Sequence, residues 1–274
     1  AERKTSVSKK KVSAQSLMFD MLKERAETGR IYIMNIDHCN SHSSFKDRIY
    51  MSNLCQEITL PTDPIQHIDG EGEIALCILS AINVGKLSYL EDLESLCDLA
   101  VRALDEIIDH QKYPVKAAEV STKARRSLGI GYIGLAHYLA KLKLNCNDKQ
   151  AWKEVDELTE NFQYYLLKAS NELAQEKGQC DYFHRTKYSD GILPIDTYKK
   201  EVDELSGRNL TMKWEQLRKD IKSHGLRHST LSAQMPSESS SVVSNATNGI
   251  EPPRDYLSIK KSKKGPLKQI VPDY

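Results

Sequence analysis

The fold class is first indicated by the short apolar stretch IYIMNI at residues 31–36. Its β-branched and aromatic side chains predict a buried strand. Between Ser13 and Glu27 the apolar residues recur at helical spacing, and Gly29 follows them as a turn residue. Because a helix, a tight turn and a buried strand form the repeating unit of an α/β fold, we expect that class.

The chain beyond this unit continues to alternate between helical and extended patterns. A second apolar strand is predicted at residues 72–80, and an amphipathic helix follows at 90–110. A long helix is predicted at 151–177, where Gly178 marks its end. The other predicted elements are helices at 114–126, 195–205 and 212–224, a strand at 229–235, and a solvated hairpin arm with the basic residues of 260–268.

The composition gives no sign of several classes of partner. The 274 residues include 39 Lys and Arg and 38 Asp and Glu, so the net charge of +1 gives no whole-chain signal for nucleic acid or an acidic membrane. No apolar run is long enough for a transmembrane helix, and no signal peptide is recognised. The six cysteines lack C-x-x-C spacing, which favours free thiols in the cytoplasm. Residues 1–12 are predicted to be a flexible basic N-terminus, unless the chain begins inside a larger polypeptide.

Chemistry is concentrated in the stretch SNLCQEI at residues 52–58. If this stretch is extended, Asn53, Cys55 and Glu57 share one face and lie roughly 6–7 Å apart. The amide can bind a substrate hydroxyl, the thiol can exchange hydrogen or electrons, and the carboxylate can accept a proton. The alternative is an edge strand with a buried cysteine and two solvated polar residues.

Two other motifs have a structural explanation that we favour. The run DHCNSH at residues 37–42 has metal-ligand residue types but no matching pair downstream, so we expect a polar loop bordering a substrate and no metal. Gly129, Gly131 and Gly134 match G-x-G-x-x-G, but no convincing strand precedes them and no acidic residue follows at the required distance. We therefore expect these glycines to allow close backbone packing rather than to bind a dinucleotide.

A serine-rich segment at residues 236–244 follows the predicted strand 229–235 and begins a helix. Such a strand–turn–helix junction can bind an anion through unpaired backbone N–H groups. The hydroxyls of Ser237, Ser239, Ser240 and Ser241 could add donors, whereas Glu238 would have to face away from a phosphate or hold another group. An ordinary helix cap or a serine-rich linker remains the alternative.

Five motifs in order resemble those of one family. They are NLCQE at 53–57, GEIALC at 72–77, RSLGIG at 126–131, MPSESSS at 235–241 and NATNGIEPP at 245–253. Together they closely resemble the large (alpha) subunit of the class I, aerobic ribonucleotide reductase of bacteria and phages, from about Ser13 to Tyr274. The resemblance implies that residues 13–274 are part of a ten-stranded α/β barrel, with helices outside and a finger loop at its centre.

The resemblance also implies residue roles in reducing ribonucleoside diphosphates to deoxyribonucleotides for DNA synthesis. Cys55 would form a thiyl radical that removes the 3′ hydrogen, inside a barrel that shields it from solvent. Glu57 would accept the 3′-hydroxyl proton, and Cys77 would be one half of a redox-active disulfide. The implied substrate-binding residues are Asn53, Leu54, Pro236, Ser237, Glu238, Ser239 and Ser240.

The family likeness implies partners as well. No cofactor is expected in this chain; the radical would come from a metal-containing small (beta) subunit, and a thioredoxin or glutaredoxin would supply reducing equivalents. The upstream partner cysteine, the nucleotide-binding cone and the carboxy-terminal cysteine pair of the family are not found here. We therefore expect a truncated or split-gene chain that works only as an oligomer with a companion large-subunit chain, in a bacterial or infected-cell cytoplasm.

Two alternatives to this function remain open at the level of sequence. One alternative is a catalytically silent scaffold that keeps the fold and binds a partner. The other alternative is a different thiyl-radical barrel, such as an anaerobic reductase. Such enzymes generally carry a carboxy-terminal glycyl-radical site, which this sequence lacks.

Overall fold

The structure is a computed structural model that describes residues 9–67, 70, 72–262 and 265–273. Two compact units make up the chain, residues 1–35 and 36–274. Most of the predicted flexible segment 1–12 lies outside the described residues, and residues 9–12 are exposed. Lys263 and Lys264 of the predicted basic hairpin also lie outside them.

The first unit contains helix α1 (Ala14–Thr28), as predicted. Ser13 caps its start by accepting a hydrogen bond from the Ser16 N–H, and Gly29 ends it in a left-handed conformation with φ 67°. The predicted strand at 31–36 is wrong, because Tyr32 and Ile33 are exposed and no strand within the described part of this unit pairs with them. An apolar run needs a neighbouring strand and a covered face to become a buried strand.

The second unit is built from helices around a small parallel sheet. Its first helix, α2 (Ile36–His42), replaces the loop that was predicted at 37–42. The predicted helix at 195–205 is shorter, with one 3₁₀ turn at Pro194–Asp196 before the helix proper. The remaining elements are β1 (Ile78–Asn83), α3 (Asp92–His110), α4 (Lys116–Arg125), β2 (Leu128–Ile133), α5 (Leu135–Lys141), α6 (Lys149–Lys177), α7 (Glu201–Ser206), α8 (Trp214–His224), α9 (Glu238–Val243), β3 (Leu257–Ser262) and β4 (Gly265–Ile270).

Parallel pairing of β1 with β2 forms the centre of this unit, with Ile78 opposite Leu128. An isolated parallel bridge between Ile130 and Ser232 adds one further position on the other side of β2. The strand predicted at 229–235 is thus reduced to a single bridge, and the strand predicted at 72–80 begins only at Ile78. These elements are consistent with an α/β fold, but among the described residues no ten-stranded barrel closes.

Glycines in β2 allow its neighbours to approach closely. A Cβ atom added to Gly129 would lie 2.6 Å from Cδ2 of Leu79, and one added to Gly131 would lie 2.5 Å from the carbonyl oxygen of Ala233. A Cβ atom at residue 129 would require the Leu79 side chain to move, and one at residue 131 would require a shift of the backbone at Ala233. The prediction of close packing is confirmed by these short distances. Both glycines lie inside strand β2, not in a loop that follows a strand.

The main core lies between this sheet and helices α3 and α6. The amphipathic helix predicted at 90–110 is confirmed as α3, and its buried face includes Leu93, Cys97, Val101, Leu104 and Ile108. Leu99 and Ile107, which the sequence also placed on the apolar face, are exposed. Burial also raises the pKa of Cys97, as expected for a cysteine that serves in packing. The predicted hairpin arm is confirmed as the antiparallel pair β3–β4. No helix in the described ranges is both long and apolar enough to cross a membrane.

A buried carboxylate joins several elements beneath the sheet. Asp105 of α3 is fully buried and accepts hydrogen bonds from Nε of Arg126 at 2.6 Å and Nε of Arg227 at 3.2 Å. The Nζ atom of Lys177 lies 3.4 Å away, and Nε2 of His228 lies 3.2 Å away. Burial opposes the charge, but hydrogen bonds from His228 and Arg126 still hold the pKa of Asp105 well below its usual range.

The stability of the protein is expected to fall as the pH is lowered through the titration of His228. Burial, with a further contribution from the charges of Arg126 and Arg227, lowers the pKa of His228 from 6.5 to about 4. The hydrogen bond and charge of Asp105 act in the opposite direction. The unfolded state therefore binds more protons than the folded state between pH 6.5 and pH 4. The contribution of His228 to stability is fully present above pH 6.5 and is lost as the pH falls toward 4. We expect a loss of about 2 kcal/mol between about pH 7 and pH 5.

Urea unfolding at the two pH values measures this loss. His228→Gln should remove most of the pH dependence, whereas His224→Gln, at an exposed position of α8, should leave it unchanged. An equal pH dependence in the His228→Gln protein would contradict the assignment.

Candidate active site

The chemically distinctive stretch forms a tight loop, which we call the cysteine loop (residues 53–58). The Gln56 N–H donates to the Asn53 carbonyl at 3.2 Å, and the Asn53 N–H donates to the Ile58 carbonyl at 3.3 Å. Oδ1 of Asn53 accepts a hydrogen bond from the Ile58 N–H at 3.3 Å. Gln56 has a φ of 61°, in the left-handed region. The expectation of an extended segment with three side chains on one face is therefore wrong.

The loop has a buried base and an exposed tip. Ile58 is buried, and its Cδ1 atom lies 3.8 Å from the position that a Cβ of Gly129 would occupy, so the base is anchored on β2. At the tip, Leu54 is 82% exposed and Cys55 is also exposed. The expected sealed pocket around the thiol is therefore not formed by the described residues, because two strands and one bridge cannot surround the loop.

Glu57 and Cys77 come together below the tip. Cys77 immediately precedes β1 and is half-buried. Burial raises the pKa of its thiol, and the nearby charge of Glu57 raises that pKa further. Oε2 of Glu57 is buried and has no hydrogen-bond partner in the described residues. A buried acceptor without a partner is costly, which makes this oxygen a candidate for binding a substrate proton donor.

The serine-rich segment lies beside β1. It lines a groove of about 240 Å³ with residues 79–81 of that strand, and the lining residues include Pro236, Ser237, Glu238, Ser239 and Ser240. Leu79 lines this groove, and its side chain also packs against Gly129 of β2. The structure therefore brings the cysteine loop, Cys77 and the serine-rich segment to one region of the β1–β2 sheet.

The serine hydroxyls divide into two groups. Ser237 is buried, and its hydroxyl donates to the carbonyl of Met235 at 3.2 Å. The hydroxyl of Ser241 donates to the carbonyl of Glu238 at 2.9 Å. Both are committed to local structure, whereas Ser239 and Ser240 are exposed at the start of α9. Only the second pair is placed to donate to a ligand in the groove.

Sequence reasoning missed two residues that shape this region. Asn248 accepts a hydrogen bond from the Ser237 N–H on Oδ1 at 2.9 Å, which fixes the turn before α9. The signal was present, since asparagines in a turn cluster often bond to backbone groups. The left-handed conformation of Gln56 had no comparable signal, because glutamine rarely adopts it. No group of His, Cys, Asp or Glu in the described ranges is arranged to hold a metal ion.

Comparison with known proteins gives a consistent result. A family model described as ribonucleotide reductase, barrel domain, matches residues 1–274. The chain is 55% identical over its full length to the ribonucleoside-diphosphate reductase subunit alpha of Buchnera aphidicola subsp. Schizaphis graminum, and it covers 36% of that protein. It is 56% identical to the Haemophilus influenzae subunit alpha, covering 37%, and 43% identical to that of Enterobacteria phage T4, covering 36%. The chain thus spans little more than a third of the length of these relatives.

Proposed function

Because the chain belongs to the ribonucleotide reductase family and corresponds to its barrel domain, we propose that it carries the catalytic residues of a ribonucleoside-diphosphate reductase. The observation that carries this proposal is the convergence of the cysteine loop, Cys77 and the serine-lined groove on one region of the sheet. A thiol, a carboxylate with an unpartnered oxygen and exposed hydroxyls suit a sugar that bears phosphates.

In the proposed reaction, the Cys55 sulfur radical takes the hydrogen atom from C3′ and leaves a sugar radical. Glu57 accepts the 3′-hydroxyl proton through its buried oxygen, and the 2′-hydroxyl leaves as water after it gains a proton. Two electrons come from Cys77 and a second thiol, which become a disulfide. Cys55 then returns its hydrogen atom to C3′, so the radical is regenerated and a deoxyribonucleotide is released.

The substrate would be held at both of its ends. We assign the diphosphate to the groove beside β1, where Ser239 and Ser240 are exposed and the backbone of residues 236–240 is within reach. Glu238 also lines this groove, and its negative charge would repel phosphate, so we do not assign it to the diphosphate. The Oδ1 atom of Asn53 is engaged by the Ile58 N–H, so its amide nitrogen would contact the ribose beside Leu54.

Further polypeptide is required around the exposed tip of the cysteine loop. A thiyl radical must be kept from water, yet Cys55 is exposed in this chain. In the proposed assembly residues 13–274 contribute part of a ten-stranded barrel, and a companion large-subunit segment closes over the loop. A small subunit supplies the radical, a thioredoxin-type protein reduces the disulfide, and the chain itself holds no cofactor. The cytoplasm, which keeps thiols reduced, is the compartment that fits this chemistry.

Reassembly tests the proposal directly. The chain is mixed with the remaining segments of a relative's large subunit, the small subunit, a dithiol reductant and cytidine diphosphate, and deoxycytidine diphosphate is measured. We expect product from the complete mixture and none from this chain with the small subunit and reductant alone, because the loop is not enclosed. A complete mixture that assembles but forms no product would contradict the function, and equal turnover without the companion segments would contradict the need for them.

A further inference from the structure

Gln56 stands out because its backbone conformation is unusual for its residue type. Its φ of 61° lies in the left-handed region, which is disfavoured for residues with a Cβ atom, least for Asn and Asp and most for β-branched residues. We propose that this conformation makes Gln56 the positioning residue that directs Cys55 toward the substrate while Glu57 stays beneath it. The inference rests on the proposed function and adds a residue to it.

Both ends of the cysteine loop are held in place, so the conformation of Gln56 determines the path of the residues between them. The N–H and Oδ1 of Asn53 bond to the carbonyl and N–H of Ile58, and Ile58 is buried against β2. Only four residues, 54–57, remain to reverse the chain between these anchors. The reversal falls at Gln56, whose N–H donates back to the Asn53 carbonyl at 3.2 Å.

The turn separates two groups that an extended segment would place side by side. In an extended chain Cys55 and Glu57 would lie on the same face. With Gln56 left-handed, Cys55 is exposed at the tip, whereas Oε2 of Glu57 is buried toward Cys77. The thiol is thus open to a ligand from outside the loop, while the carboxylate lies beneath it. The Gln56 side chain is exposed, so its backbone rather than its packing is the feature that matters.

Substitutions that differ in their tolerance of this conformation test the proposal in the reassembled enzyme with cytidine diphosphate. Gln56→Asn and Gln56→Gly should keep kcat within about threefold of the unchanged protein, since both residues adopt a left-handed φ readily. Gln56→Val should lower kcat by about tenfold or more, because a β-branched residue forces the loop to rearrange. KM should change by less than about twofold, because the serine-lined groove is untouched.

Hydrogen exchange of this chain provides a readout that does not depend on turnover. The Gln56 and Ile58 amides should exchange about tenfold faster in Gln56→Val than in Gln56→Asn. Lys143 is a matched control, because it is exposed, has a φ of 60° and lies outside the site. Lys143→Val should strain its own turn to a similar degree but leave kcat unchanged.

Each result has a distinct meaning. The inference is overturned if Gln56→Val keeps full kcat and slow exchange, or if Asn and Gly lose as much activity as Val, since the amide side chain would then be the requirement. An equal loss in Lys143→Val would also overturn it by showing a general effect of strain. Failure of the proposed function is recognised separately, because Cys55→Ser would then keep its turnover.

Discussion

Replacement of Cys55 by serine is expected to reduce turnover of the reassembled enzyme to the level of the blank, a loss of at least about 10³-fold. A hydroxyl cannot take the place of the thiol in the proposed reaction, because the O–H bond is too strong for its radical to be formed and reformed at the same site. The exposed Cys55 side chain has little packing to lose. We therefore expect the free energy of unfolding to change by less than about 0.5 kcal/mol.

A matched control separates this effect from a general loss of thiols. Cys146 is also exposed but lies far along the chain, before α6, so Cys146→Ser should retain turnover and stability. Product formation from cytidine diphosphate and urea unfolding are measured for both proteins. Retention of activity by Cys55→Ser would favour the alternative that the chain is a catalytically silent scaffold.

Replacement of Arg125 by alanine is expected to cost about 3–5 kcal/mol of the free energy of unfolding. Arg125 is 2% exposed and donates to both oxygens of Glu73, at 2.6 and 3.0 Å, and to Asp47 at 2.9 Å. Burial alone would raise the pKa of Glu73, but Arg125 and then Arg185 hold it below its usual value. Removal of Arg125 would leave a buried carboxylate whose one remaining charged partner among the described residues is Arg185, which donates at 3.1 Å.

An exposed arginine provides the comparison for this second substitution. Arg102 pairs with Asp98 and Glu176 but is about a third exposed, so Arg102→Ala should cost under about 1 kcal/mol. Urea unfolding of the two variants measures the difference. Similar small losses for both would mean that the Arg125 network contributes little, whereas a large loss for Arg125 alone supports its role in holding Glu73 and, through it, the segment that leads to Cys77.

The helices were largely predictable because their signal is spread over many residues. Apolar side chains at helical spacing predicted α3 and α6, and the glycine after α6 ends it as expected. Short strands were less predictable, because an apolar run of six residues does not reveal whether a neighbour will pair with it. Residues 31–36 have the composition of a strand but form none, and Tyr32 and Ile33 are exposed, whereas the glycine-containing LGIGYI forms the buried strand β2.

The roles of the candidate site residues stay a prediction, whereas the shape predicted for the site was wrong. The motif at 53–57 indicated which side chains could carry the chemistry, yet the extended conformation assumed for it was wrong. Hydrogen bonds between Asn53 and Ile58, and the left-handed Gln56, depend on the anchor that β2 provides through Gly129. Such tertiary effects override the local preference of the residues. The closure that we propose around Cys55 would likewise depend on strands that the described residues do not form.

The parallel pairing at the centre of the second unit also constrains how the chain reaches its native state. Ile78 pairs with Leu128, and Ile130 meets Ser232 about a hundred residues later, so the sheet depends on contacts that are remote in sequence. Closing such long loops costs conformational entropy before stabilising contacts form. Folding rates therefore fall as the mean sequence separation of contacting residues rises. Helices α3 and α6, whose bonds are local, are therefore expected to form first, and assembly of the sheet is expected to limit the rate of folding.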